Sequence, residues 1–194
     1  MAVLARSAVR PPAPAKVKIL ATADELFYTE GIHTVGVDRI IAGAKVTKAT
    51  FYKHYRSKDL LIIAYVEGRD REIREFLDRA EEELGDPREV LRALTVKIGG
   101  EATRPGFRGC PFINAAAQFA DPEHPVRLAV TAHRDWYSAR IEALMRAIGH
   151  PRPGDAADDY LLARDGALAG GHVGDHIAAN AALHRFTERI LAEA

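Results

Sequence analysis

Residues 31–61, GIHTVGVDRIIAGAKVTKATFYKHYRSKDLL, hold two short helical patterns, a tight link and basic residues gathered on the second pattern. Val37, Ile40 and Ile41 recur at helical spacing, and Asp38 stands in the first turn, where the helix dipole favours an anion. Thr47 is placed to cap a second helix running through Phe51 and Tyr52, with only Ala44 to Val46 between the two. So short a link forces a steep crossing rather than an antiparallel hairpin, which is the layout of a helix-turn-helix. With Val46 and Phe51 turned inward, Lys48, Thr50, Lys53 and His54 fall on or near the outer side. These groups can donate to phosphates or base edges, and an α-helix fits the major groove, so double-stranded DNA is the expected partner.

Charge supports this only when divided along the chain. The net charge of the 194 residues is zero, but residues 1–60 hold 10 Lys and Arg against 5 Asp and Glu, leaving 17 against 22 in the remainder. The basic excess sits where the motif sits, and local cations are what release counterions from phosphates. With 47% hydrophobic residues the chain can bury one or two small cores. It has no apolar run near the eighteen or so residues that would span a bilayer. The single Cys110 rules out an internal disulfide. Residues 1–14 carry Arg6 and Arg10 and no apolar block of the signal-peptide kind. A soluble, cytoplasmic protein with no membrane partner is expected.

Outside the motif the sequence reads as helix after helix. Lys16 to Glu30 presents Ile19, Leu20, Ala23, Leu26 and Phe27 on one face, with Gly31 as a stop. Ser57 can cap a long helix from Lys58 to about Glu83, and Asp86-Pro87 opens another to about Gly99. Gly99-Gly100, Thr103 to Gly106 and Arg108-Gly109 mark a break before a short helix from Pro111 to Ala120. Val126 to Ile148, Ala156 to Ala169 and Ile177 to Ala194 follow, the first two separated by a Pro-rich turn over Gly149 to Gly154. Nothing alternates like a strand. The expectation is an all-α fold of about nine helices: a basic arm over 1–15, a helix-turn-helix domain over 16–61 with its motif at about 36–55, and a larger C-terminal domain over 62–194.

Val37-Asp38-Arg39-Ile40, the run Val46 to Tyr55 (VTKATFYKHY) and Ser57-Lys58-Asp59-Leu60-Leu61 resemble the DNA-binding domain of TetR-type bacterial transcriptional regulators. The resemblance covers roughly Lys16 to Glu67. Two positions depart from that pattern: Lys45 stands where a Gly is usual in the turn, at a cost on the order of 1 kcal/mol if its φ is positive, and Gly36 stands where Ser or Thr usually caps. Position and resemblance together imply the following roles. Thr47 and Lys48 anchor the recognition helix to phosphate, and Lys45 adds a phosphate contact. Ala49, Thr50 and Lys53 face base edges, whereas Tyr52, His54, Tyr55 and Lys58 touch the backbone. Thr34, with main-chain N–H groups around Gly36 and Val37, holds the opposite phosphate wall.

The resemblance also implies a homodimer formed through the last two helices, a C-terminal pocket for a small-molecule effector, and repression relieved when that pocket fills. A dyad suits DNA readout, since two reading heads cover a palindrome with half-sites about 34 Å apart or a multiple of that. Leu161, Leu162, Ala167 and Leu168 on one helix, and Ile177, Ala181, Leu183, Phe186 and Ile190 on the next, supply an apolar face that either pairs chains or caps the core. Phe107, Cys110, Phe112, Asn114 and Gln118, with His133, Trp136 and Tyr137 on the long helix, mix apolar walls with polar tips as a pocket needs, or are divided between core and surface.

Other chemistries are weaker. His172 and His176 are four apart, but Gly174 and Asp175 between them suggest a helix break, so no metal site is expected. Cys110 beside Pro111 reads as a redox-sensitive thiol or a small buried hydrophobe. No phosphate loop or nucleophile elbow is present, so neither a cofactor nor catalysis is expected. Pro11-Pro12-Ala13-Pro14, flanked by Arg6, Arg10, Lys16 and Lys18, is too Pro-rich for helix, so the stretch is either an extended basic arm for a minor groove or a disordered tail. Two other classes remain open: an architectural DNA-binding protein without a ligand, and a small-molecule-binding protein or helical enzyme whose helix-turn-helix is vestigial.

Overall fold

The computed structural model describes residues 13–194, and among them it has nine α-helices and no strand. They are α1 (Pro14–Glu30), α2 (Val37–Ala44), α3 (Lys48–His54), α4 (Lys58–Leu84), α5 (Pro87–Ala102), α6 (Pro111–Ala117), α7 (Pro125–Ala147), α8 (Pro153–Val173) and α9 (His176–Ala192). The all-α expectation holds. The proposed arm over residues 1–12, with Arg6 and Arg10, lies outside the described residues. Pro14 takes the first helical position of α1, where a missing N–H leaves no bond unmade, so Lys16 and Lys18 are helical rather than part of an extended arm.

Two helices run further than their glycines suggested. α5 continues through Gly99-Gly100 to Ala102, and α8 through Gly170-Gly171 to Val173. Gly99 and Gly171 are close approaches between helices. A Cβ on Gly99 would stand 2.0 Å from Asn180 Oδ1 of α9, and one on Gly171 would stand 3.3 Å from the Ala102 Cβ of α5. α6 ends three residues earlier than expected, at Ala117.

The N-terminal unit packs α1, α2 and α3 around Ile19, Ala23, Phe27, Ile32, Val35, Ile40 and Phe51, all buried. Leu20 and Leu26 of the expected α1 face are only half-buried. Each fully buried aliphatic or aromatic side chain contributes about 1.5–3 kcal/mol by leaving water, so the unit depends on a handful of residues. α4 is 27 residues long, roughly 40 Å at 1.5 Å per residue. It starts under the N-terminal unit with Leu61, Ile62, Tyr65 and Val66 and ends in the larger bundle with Leu77 and Ala80. One helix therefore belongs to both cores.

In the bundle, α5 and α7 to α9 enclose Leu91, Leu94, Val130, Ile141, Met145, Tyr160 and Leu191. A buried polar relay pins three of them: the Thr95 hydroxyl meets Tyr160 Oη at 3.1 Å and Thr187 Oγ1 at 2.9 Å, and Thr187 donates to the Leu183 carbonyl. This packing corrects part of the expected dimer face. Leu168, Leu183 and Ile190 are buried in the chain's own core, and Leu161 and Phe186 are half-buried against it. Ile177 is 70% exposed, as are Leu162 at 72% and the unforeseen Val173 at 82%.

Candidate nucleic-acid interface

The turn between α2 and α3 is built on Lys45. Its φ of 53° and ψ of 46° place it in the left-handed region, the only non-glycine there among the described residues. That conformation lets Lys45 N donate to the Ala42 carbonyl and Val46 N to the Ile41 carbonyl, closing α2 within two residues of the Thr47 cap. Thr47 Oγ1 accepts from Thr50 N at 3.1 Å and lies 2.9 Å from Thr50 Oγ1. Phe51 is fully buried and anchors α3. Ser57 caps α4 in the same manner, accepting from Leu60 N.

What α3 leaves outside is polar and basic. Lys48, Ala49, Tyr52 and Lys53 are exposed, while Thr50 and His54 are half-buried. Lys45 and Arg56 extend the basic surface at either end, and neither takes part in an ion pair among the described residues. Lys48 Nζ is 3.7 Å from Asp38 of α2, an exposed pair that salt screens and that contributes little to stability. Thr34 is exposed, and α2 begins at Gly36 with no side-chain cap, so its first N–H groups are open to an anion. The Val37 side chain packs on the core, leaving only its main chain for that purpose. Lys58 lies with its Nζ 5.9 Å from the centre of the Phe27 ring, and burial there lowers its pKa below the ordinary lysine value.

Tyr55 is the correction. It is 4% exposed and sits under α3 as part of the core, so its ring cannot reach a DNA backbone. Above it stands Lys16, its Nζ 5.8 Å from the ring centre. Lys16, expected at the start of the first helix, thus brings α1's first turn beside the end of the recognition helix. Arg56, a basic residue adjoining the motif, is the cation missed here, and only the packing of α1 on α3 sets Lys16 beside the recognition helix.

A cleft of about 370 Å³ adjoins this unit. One wall comes from α1 and α4, with Tyr28 and Arg69, and the other from the loop between α5 and α6, the start of α6 and α8, with Phe107, Phe112 and Arg164. Tyr28 Oη spans the walls, accepting from Arg108 N at 2.9 Å and donating to the Gly109 carbonyl at 3.0 Å. Of the residues expected to line a ligand site, Phe107 and Phe112 do so. Cys110, His133 and Tyr137 are buried behind them. His133 stacks on Phe112 at 3.5 Å and holds Asp70 Oδ1 at 2.7 Å from Nδ1. Trp136 is covered by the Arg74 guanidinium, 3.8 Å from the ring centre. Asn114 and Gln118 are occupied elsewhere. Asn114 Nδ2 donates to the Arg108 carbonyl, and Gln118 Oε1 accepts from His33 N at 2.9 Å, tying α6 to the loop between α1 and α2.

Arg69 and Arg164 escaped notice in the sequence. Arg164 left a signal, a lone charge three residues after Leu161 and four before Leu168 on an otherwise apolar helix face. His172 and His176 fall on different helices, and no group of three or more metal-binding side chains comes together among the described residues. No described helix is long and apolar enough to cross a membrane.

The model of the bacterial regulatory proteins of the tetR family matches residues 19–65. A TetR-family transcriptional regulator from Streptomyces coelicolor is 39% identical, covering 92% of this chain and 95% of that one, and its crystal structure superposes with a TM-score of 0.88. The HTH-type transcriptional regulator LmrA of Bacillus subtilis is 28% identical over 130 residues, which is 66% of this chain and 69% of that protein. A TetR-family regulator from Agrobacterium tumefaciens, 23% identical over 90% of this chain and 96% of its own, shares the fold with a TM-score of 0.79. A helical DNA-binding regulator is the class that the fold and the basic motif define. The chain belongs to the TetR family of bacterial transcriptional regulators, and its relatives act as regulators rather than enzymes.

Proposed function

We propose that this regulator is a ligand-responsive repressor that binds a palindromic operator as a homodimer and is released when a small molecule fills the cleft. The observation that carries the reading is the position of the cleft. Its first wall is α1, which packs directly on α2 and α3, and its second is the loop from Arg104 to Gly109 together with α8. A ligand between these walls acts on the Tyr28 bridge and so on the placement of the reading head. The effect is a population shift, in which the ligand favours the state with low DNA affinity by its coupling energy.

α3 enters the major groove with Lys48 on phosphate and Ala49, Thr50 and Lys53 toward base edges, while α2 presents its uncapped N-terminus to the facing strand. Dimerisation brings the second reading head. Leu162, Val173 and Ile177 supply exposed apolar surface for it on α8 and α9, in line with the dimers that TetR-family regulators form.

Selection of bound duplexes from a random DNA pool, at a stated salt near about 150 mM, tests the reading, because affinity without the salt concentration has no fixed meaning. A recovered palindrome is the expected result and supplies a probe for release by ligands. Recovery of no motif would sink the proposal and leave an architectural or vestigial role.

A further inference from the structure

The cleft's charged lining carries one more carboxylate than cation at its mouth and an excess cation at its base. Asp24 Oδ2 holds Arg69 at 2.7 Å, Glu72 lies 3.7 Å from the same guanidinium, and Lys97 holds Glu101 at 2.7 Å. The remaining rim charges, Glu25 and Arg104, have no ion pair among the described residues and offset each other in sign. Arg164 is different. Its side chain is 8% exposed, the most deeply buried charge of the lining for which an ion pair is formed. Its Nη1 donates to Asp165 Oδ1 at 2.6 Å, but the other oxygen of that carboxylate accepts from Arg134 Nη1 at 2.9 Å. One carboxylate therefore serves two guanidiniums.

No second anion makes up the difference. Asp70, the neighbouring carboxylate, is taken by Arg74 at 2.6 Å and by His133. Arg164 Nε is buried with no hydrogen-bond partner, and the face of its guanidinium lies 5.2 Å from the Tyr137 ring centre. Besides the shared carboxylate, the buried guanidinium has the Cys110 Sγ 3.6 Å from Nη1, and with Nε left unpartnered it gains from a further anion within reach. Beside it Phe107, Phe112, Pro111 and Leu168 form an apolar wall. Guanidinium groups recognise carboxylates through charge-assisted, often paired, hydrogen bonds.

We infer that the cleft takes a small aromatic carboxylate, its ring against Phe107 and Phe112 and its charge toward Arg164. This names the class of effector for the site proposed above and rests on that reading of the cleft. A carboxylate there neutralises the extra charge at the base of the cleft while its body presses on the loop that Tyr28 holds.

Isothermal titration of the full chain with 2-naphthoate and with uncharged 2-naphthamide, at one ionic strength, tests the inference, and release of operator DNA is read separately. Naphthoate is expected to bind at least about tenfold more tightly than the amide, given a charge-assisted bond to a buried guanidinium. Arg164→Gln should abolish that preference. Should Arg164→Gln not fold, Phe107→Glu places a negative charge on the wall and should reverse the preference. Equal affinities in the wild type, or no binding of naphthoate, would overturn the inference, as would release of DNA by the amide while the carboxylate is inert. Naphthoate that binds through Arg164 without releasing DNA would uphold the site's chemistry and sink the ligand-responsive reading instead.

Discussion

Replacing Lys45 by Gly should raise stability and weaken DNA binding together. Lys45 holds φ 53° in the turn that joins α2 to α3, a conformation costing a residue with a Cβ about 1–2 kcal/mol relative to the right-handed region. Glycine removes that strain but has more freedom to lose on folding, about 0.5–1 kcal/mol, so the net gain should lie between about 0 and 1.5 kcal/mol and centre on about 0.75 kcal/mol. For a chain of this size the central value corresponds to a rise in midpoint of about 1–4 °C, read by thermal unfolding at fixed protein concentration. Lys45 is exposed and unpaired by any carboxylate among the described residues, so its charge is free for phosphate. Loss of one phosphate contact should reduce the slope of log affinity against log salt by about 0.9. Lys45→Ala separates the two effects, since it keeps the strained backbone and loses the charge. It should match Lys45→Gly in DNA binding and show none of the added stability. A lower midpoint for Lys45→Gly, or a salt slope unchanged in both variants, would refute the reasoning.

Three further outcomes are expected. Lys48→Ala should weaken binding to every duplex and lower the salt slope by about 1, whereas Thr50→Ala should change which bases are preferred; identical effects on all sequences in a binding assay would show that the division of roles is wrong. Gly99→Ala should destabilise by about 1–3 kcal/mol by forcing Asn180 aside. Its neighbour Gly100→Ala, with nothing within 4 Å of the new methyl group, should stabilise by about 0.5–1 kcal/mol, so denaturant midpoints should move in opposite directions. Burial, aided by Arg164 and Arg74, lowers the His133 pKa below the imidazole range despite the pull of Asp70. The unfolded chain therefore takes up a proton first, and stability should fall as pH drops below about 6.5 until the folded pKa is reached. Asp70, whose pKa is lowered by its bonds to Arg74 and His133 against the effect of burial, adds a further loss below about 4. His133→Gln should remove the first loss from unfolding curves measured between about pH 8 and 5, and an unchanged profile would exclude His133 as its source.

Local chemistry made much of this protein legible in one dimension. The motif at residues 36–55 is written in short-range terms: a cap at Thr47, an apolar stripe at Ile40 and Phe51, and a link too short for any other crossing. The same holds for Ser57, Asp86 and the Pro residues at helix starts, because a cap acts within one turn of its own position. Gly99 misled because the same residue ends a helix or lets two helices touch, and only the partner, Asn180, tells which. Tyr55 and Leu168 misled for a related reason. An amphipathic pattern says that a face is covered, and the covering may be α1 or the chain's own bundle instead of DNA or a second copy.

The sequence by itself determined the helices, their caps and the basic reading head, since these follow from spacing and propensity along the chain. Tertiary structure alone decided which cations flank that head, that Tyr28 bridges the walls of a cleft, and that Arg164 shares its carboxylate with Arg134. Those features are balances of charge and contact between residues as many as 81 positions apart, and no local pattern encodes a distance that only packing creates.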